Sequence, residues 1–264
     1  MKLEESTWPD VARLDRDRVL VLAPIAACEQ HSRHLPTFTD SVLCGSIAAA
    51  VEKNLRDEVL LLPNLWLGAS DHHFAFGATL SVSVDTHTRL LEELLAPILE
   101  DGFRRVLILN GHGGNIDTLH VALRRLQPRY PDRLLTGASY WELASGELSQ
   151  LANGPRKEMG HACEFETSMM LHFRPDLVRV KEIRDDHRPG NTALRGLFRP
   201  LDMGRDTDGG AVGFPTRASA KSGKQFADAA ITRVTAVCRA LLAEKISAGG
   251  QRRWKKESKG KARR

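Results

Sequence analysis

A chain of 264 residues that is 42% hydrophobic and 27% charged has the apolar content for a buried core and the charge for a soluble surface. No apolar run reaches membrane-spanning length, and Met1–Glu5 lacks the basic start and apolar core of a signal peptide, so no membrane association is expected. The net charge of +5 is a poor guide to partners: residues 252–264 hold eight Lys/Arg and one Glu, leaving −2 on the other 251. Residues 251–264 therefore read as a disordered, solvated basic tail, with nucleic-acid binding not expected.

In chain order, Val19–Ala23 reads as an apolar strand and Asp40–Asn54 as a helix with Val42, Ile47, Ala50 and Val51 inward. Val59–Leu62 and Thr79–Val84 read as strands. Thr86–Asp101 reads as a helix whose apolar face is Leu90, Leu91, Leu94, Leu95 and Ile98. Arg105–Leu109 is expected as the central strand, followed by a helix over Ile116–Gln127 and a strand over Leu134–Ser139. Helices are expected at 165–172 and 223–245. The stretch Asp185–Thr216, rich in Gly, Pro, Asp and Arg, reads as a lid or subunit-contact loop. This alternation predicts a three-layer α/β/α sandwich with a mostly parallel central sheet, one domain over residues 1–250, and chemistry at the strand ends.

Three segments carry that chemistry. Glu29 and His31 stand two apart after the first strand, on one face of extended backbone, and Pro36 lets the chain curl so that Asp40 could return to them. Asn110-Gly111-His112-Gly113-Gly114-Asn115 follows the central strand; it has the spacing of neither a dinucleotide fingerprint nor a P-loop. Gly160-His161-Ala162-Cys163-Glu164-Phe165-Glu166-Thr167-Ser168 opens a helix, where free N–H groups favour carboxylates. Each cluster alone has a plain structural reading, as capping acids or solvated imidazoles. All three lie at element ends, and their oxygen and nitrogen donors suit zinc, manganese or ferrous iron.

Taken together, E-Q-H-x-x-H-L-P-x-x-T-D (29–40), N-G-H-G-G-N (110–115) and H-A-x-E-x-E-T-S (161–168) resemble the creatininase family of metal-dependent amidohydrolases, over roughly residues 18–245. The resemblance implies two divalent ions, zinc first, with manganese or iron as alternatives. Glu29, Asp40 and His112 would hold one ion; His31, Asp40 and Glu164 would hold the other. Gly114 stands where other members carry a ligating glutamate, and the resemblance assigns that duty to Glu164. It also implies His161 as the proton-shuttling catalytic residue and Glu166 as an acid orienting His161 or a metal ligand, with His73, Gly113 and Trp141 at the substrate. A pair of divalent ions about 3.5–4 Å apart lowers the pKa of a shared water, which suits attack on an amide, cyclic amide or formamide. Creatinine itself is not favoured, because Gly113 puts no aromatic ring after His112.

His34 could face the site or solvent, and His72 the pocket or a subunit contact. His87, His120, His172 and His187 have no sequence partner and read as surface or packing residues. Four widely spaced cysteines without a C-x-x-C point to reduced thiols in the cytoplasm; Cys28 and Cys163, beside expected ligands, read as small apolar residues. The family implies a homo-oligomer, a hexamer above all, acting on a small-molecule amide. Two alternatives stand: a non-catalytic metal or assembly protein of the same fold, and a peptidase trimming a cofactor-precursor peptide.

Overall fold

The computed structural model describes residues 1–186, 188 and 196–246. Four strands, β1 (Leu20–Ile25), β2 (Val59–Leu61), β3 (Arg105–Asn110) and β4 (Leu134–Ser139), form one sheet in the order β2-β1-β3-β4. All three pairings are parallel. The helices in chain order are α1 (Trp8–Ala12), α2 (Thr39–Asn54), α3 (Val84–Glu100), α4 (Ile116–Leu126), α5 (Tyr140–Leu143), α6 (Ser145–Leu151), α7 (Glu164–Phe173), α8 (Met203–Asp206) and α9 (Ala220–Ala243).

Every residue of β1 is buried, as expected of a parallel strand covered on both faces. Leu20, Leu22, Leu107 and Leu109 point to one side, into a cluster with Ile47 and Val51 of α2, Met169 of α7 and Phe226 and Val234 of α9. Val21, Ala23, Val106 and Ile108 point to the other, against Leu91, Leu95 and Leu99 of α3 and Leu119 and Leu126 of α4. This is the expected three-layer sandwich with a parallel sheet. The register sets Ile25 opposite Asn110 and Asn110 opposite Ser139, so three strands end level and their following loops share one edge. Among the described residues no helix is long and apolar enough to cross a membrane.

The alternating segment Thr79–Val84 is not a strand. It makes only single bridges, Leu80 with Cys28 and Ser81 with Gly68, before Ser83 caps α3 by accepting from Thr86 N at 3.2 Å. The final helix starts at Ala220, three residues before the glycine at which a start was expected. Gly223 does not interrupt α9 but lets it approach α7, because a Cβ there would overlap the Ser168 carbonyl. Within Asp185–Thr216, α8 is ordered helix, and Asp186 accepts from Asp208 N and Gly209 N. The centre of that loop (189–195), His187 and the basic tail lie outside the described residues.

Candidate metal centre

The chain leaves β1 and curls as its proline suggests. Glu29 N donates to Thr37 O at 2.8 Å, so residues 29–37 close on themselves and deliver Asp40 in the first turn of α2. After β3, Asn110 pins the next loop by accepting from His112 N at 3.1 Å and donating to His112 O at 2.7 Å. The start of α7 brings a carboxylate from the third segment.

Glu29, His31, Asp40 and His112 converge, each at most 3% exposed. Asp40 divides its oxygens: Oδ1 lies 3.1 Å from His31 Nε2, and Oδ2 lies 3.2 Å from His112 Nδ1. Glu29 Oε1 sits 3.2 Å from His112 Nδ1, 3.2 Å from His73 Nε2 and 3.6 Å from His161 Nδ1. Backbone carbonyls fix the rings. His31 Nδ1 donates to Glu29 O at 3.1 Å, and His112 Nε2 to Ala69 O at 3.1 Å, so His31 Nε2 and His112 Nδ1 face the carboxylates.

Glu164 is not part of this cage. Its carboxylate turns away and accepts from Asn153 N at 2.8 Å, Asn153 Nδ2 at 3.2 Å and Gly154 N at 2.7 Å. Glu166 stands in its place: Oε1 is 3.8 Å from His31 Nε2, and the residue groups with His31 and Asp40. Position 114 could not supply the carboxylate, since a Cβ on Gly114 would overlap the Ala69 carbonyl. Gly113 faces open space, and Trp141 packs edge-on against Tyr140 at 5.1 Å beside the core. His73 is buried against Glu29 itself, and half-buried His72 stacks on His112 with ring centroids 5.7 Å apart.

His34 faces neither the cage nor solvent; its Nε2 lies 2.8 Å from Thr167 Oγ1 on α7. His87 is also buried, on Thr118 Oγ1 at 2.7 Å, whereas His120 and His172 are exposed. Sequence reasoning missed Gln30, which touches both His73 and His161, and Ser70, whose Oγ is 3.2 Å from His112 Nε2. A glutamine between two expected ligands was a visible signal for the first; for the second there was none.

Burial disfavours charge on His112, but Glu29 and Asp40 outweigh it and raise its pKa to about 10. His31 is likewise raised well above its ordinary value: burial opposes, and Asp40 prevails. Asp40 is lowered in return, burial being overcome by His31 and then His112. Burial and the charge of His31 push His161 down to about 3. Burial, then the charge of Glu166, pushes the Cys163 thiol up to about 12, so it behaves as the apolar residue expected. Protons on His31 and His112 thus supply positive charge to the buried carboxylates. Glu29 Oε2 and Asp40 Oδ2 accept no hydrogen bond, an arrangement that fits cations. Three candidate metal-binding groups overlap here: Glu29, His31 and His161; Glu29, His72 and His112; His31, Asp40 and Glu166.

A family model described as Creatininase, creatinine amidohydrolase, matches residues 4–238. A mycofactocin precursor peptide peptidase from Mycolicibacterium smegmatis is 31% identical over 219 residues, covering 78% of this chain and 79% of its own. A creatinine amidohydrolase from Pseudomonas putida is 27% identical over 237 residues, covering 83% and 89%. Among solved structures, a creatininase (creatinine amidohydrolase) matches at 25% identity with a TM-score of 0.78, covering 92% of this chain and 98% of that one. Manganese and Zn–Zn forms of creatininase, each 24% identical, share the fold with TM-scores of 0.78 and 0.76.

Proposed function

The chain belongs to the creatininase family, a hydrolase family, and we propose that it hydrolyses an amide C–N bond with two divalent cations. Glu29, Asp40 and His112 would hold one, and His31, Asp40 and Glu166 the other. The observation that carries this reading is Asp40, whose two oxygens face two different imidazoles across a buried cage. Mixed nitrogen and oxygen donors suit zinc first, with manganese or ferrous iron as alternatives. Bound there, the ions would supply a water of lowered pKa and polarise the amide carbonyl.

The chain's own part is to hold and move protons. His161 Nε2 donates to Gln30 O at 2.7 Å, which leaves the Nδ1 lone pair facing the cage. A neutral imidazole so placed can take a proton and return it to the leaving nitrogen. Glu166, expected to orient His161 or a ligand, is reassigned to the cations. It would supply the carboxylate that Gly114 lacks.

The substrate class is a small amide, cyclic amide or formamide. The second reading, a peptide amide, is favoured by the named peptidases among the relatives and by the open space at Gly113. A homo-oligomer, hexameric by family resemblance, and a cytoplasmic setting belong to the same proposal; four free cysteines support the latter. The test pairs metal analysis of protein purified without chelator with a screen of lactams, formamides and short peptides. Transition metal with turnover of any of these is expected; protein carrying no transition metal sinks the proposal.

A further inference from the structure

Gln30 lies between two proposed ligands, and its side chain is buried. Its orientation is fixed by a group that can only donate. Ser32 N–H lies 2.8 Å from Gln30 Oε1, so that atom must be the oxygen. The amide nitrogen then carries two hydrogens. One meets Gly210 O at 3.1 Å, and the other meets His73 Nδ1 at 2.7 Å.

A hydrogen bond given to His73 Nδ1 needs a lone pair there. A proton on that atom would set two donors against each other at 2.7 Å. The single ring proton of His73 therefore sits on Nε2, 3.2 Å from Glu29 Oε1. That proton faces Oε1, and Oε2 is the oxygen that accepts nothing. Nothing remains on the amide for His161 Nε2, 3.2 Å away, which donates instead to the backbone carbonyl of the same glutamine.

We propose that Gln30 is a positioning residue: its side-chain amide locks the His73 proton on Nε2, facing Glu29 Oε1, which leaves Oε2 free for a cation. The effect on metal rests on the two-cation reading above, but the tautomer does not. A glutamine that merely filled buried polar space would leave both unaffected.

The experiment is a long-range 1H–15N correlation spectrum of the imidazole nitrogens in the zinc-treated full chain, with His73→Asn used for assignment. In the wild type His73 should show a bare Nδ1 and a protonated Nε2. Gln30→Glu turns the donor into an acceptor, so the proton should move to Nδ1 and zinc affinity should fall about 10- to 100-fold. A protonated Nδ1 in the wild type, or an unchanged His73 pattern in Gln30→Glu, overturns the proposal. Should Gln30→Glu not fold, Gln30→Met, which removes the donor without adding charge, must still weaken zinc; unchanged affinity overturns it equally. Wild-type protein that takes up no zinc yet shows the expected His73 pattern refutes the two-cation reading and leaves the tautomer standing.

Discussion

Asp40 and the two glutamates of α7 show what one residue decides. Replacing Asp40 by Ala removes the oxygens shared by both imidazoles, so metal analysis after dialysis should find both ions lost. Glu166→Gln should lose the ion beside His31, while Glu164→Ala should keep full occupancy. Glu164→Ala should instead cost about 1–3 kcal/mol in urea unfolding, because the N–H groups of Asn153 and Gly154 lose their acceptor. The reverse pattern would return the ligand role to Glu164. This choice was not legible in the sequence. Residues two apart on a helix point about 200° from each other, and both acids suit a first turn. Only the distant loop at 153–154 settles which one turns inward. Glu29, His31 and Asp40 were legible because strand period and the curl at Pro36 bring them together locally, whereas His112 was placed with them by the family resemblance. His112 also gives a pH test. Its folded pKa of about 10 lies above the unfolded value of ~6.5. Its contribution to the chelated protein is therefore complete below pH ~6.5 and lost as pH rises toward about 10. Metal-loaded protein, in which cations replace the protons, should not show that loss across the same window. Equal stability of the chelated protein at both ends of the window would contradict the proton balance inferred for the cage.

At the scale of elements, α3 carries a buried histidine that its sequence pattern did not separate from a surface one. His87 packs toward α4 on Thr118, and Thr118 Oγ1 donates to Asn115 O at 2.8 Å. Burial lowers its pKa to about 4, with a smaller push from His112. Above pH ~6.5 both folded and unfolded states are neutral there. As pH falls from ~6.5 toward about 4, only the unfolded state gains the proton, so stability drops by on the order of 3 kcal/mol. His34 behaves in the same way, lowered to about 4 by burial and then by His31. His87→Leu should therefore lower the acid-side slope in urea midpoints by its own share, with His34 and His161 keeping theirs; an unaltered slope would mean that His87 does not titrate as described. Most elements were readable from their period, and β4 has the expected bounds, Leu134–Ser139. Thr79–Val84 was misread because alternation alone cannot show whether a neighbouring strand is available. The start of α9 was placed three residues late, and the role of Gly223 in its approach to α7 was not visible because helix-to-helix distance is not local information.

For the whole molecule, alternating strands and helices were enough to give layers, but not the order β2-β1-β3-β4, which depends on how each crossover packs. That order puts the ends of β1 and β3 side by side, so the Glu29 loop and the His112 loop meet at one edge of the sheet. Charge is also distributed at this scale. The pI of about 9.2 comes from residues 252–264, which carry +7 against −2 on the rest. The cage is built from residues 29–166, on the anionic part of the chain. Deleting 252–264 should therefore leave metal content and amide turnover unchanged, and should lower the isoelectric point to near neutrality. Retention on an anionic resin should fall steeply with the deletion, because each lost Lys or Arg removes a counterion-releasing contact. Loss of turnover in the truncated chain, with metal still bound, would instead mean that the basic segment takes part in substrate capture, for which an anionic amide would be the first candidate.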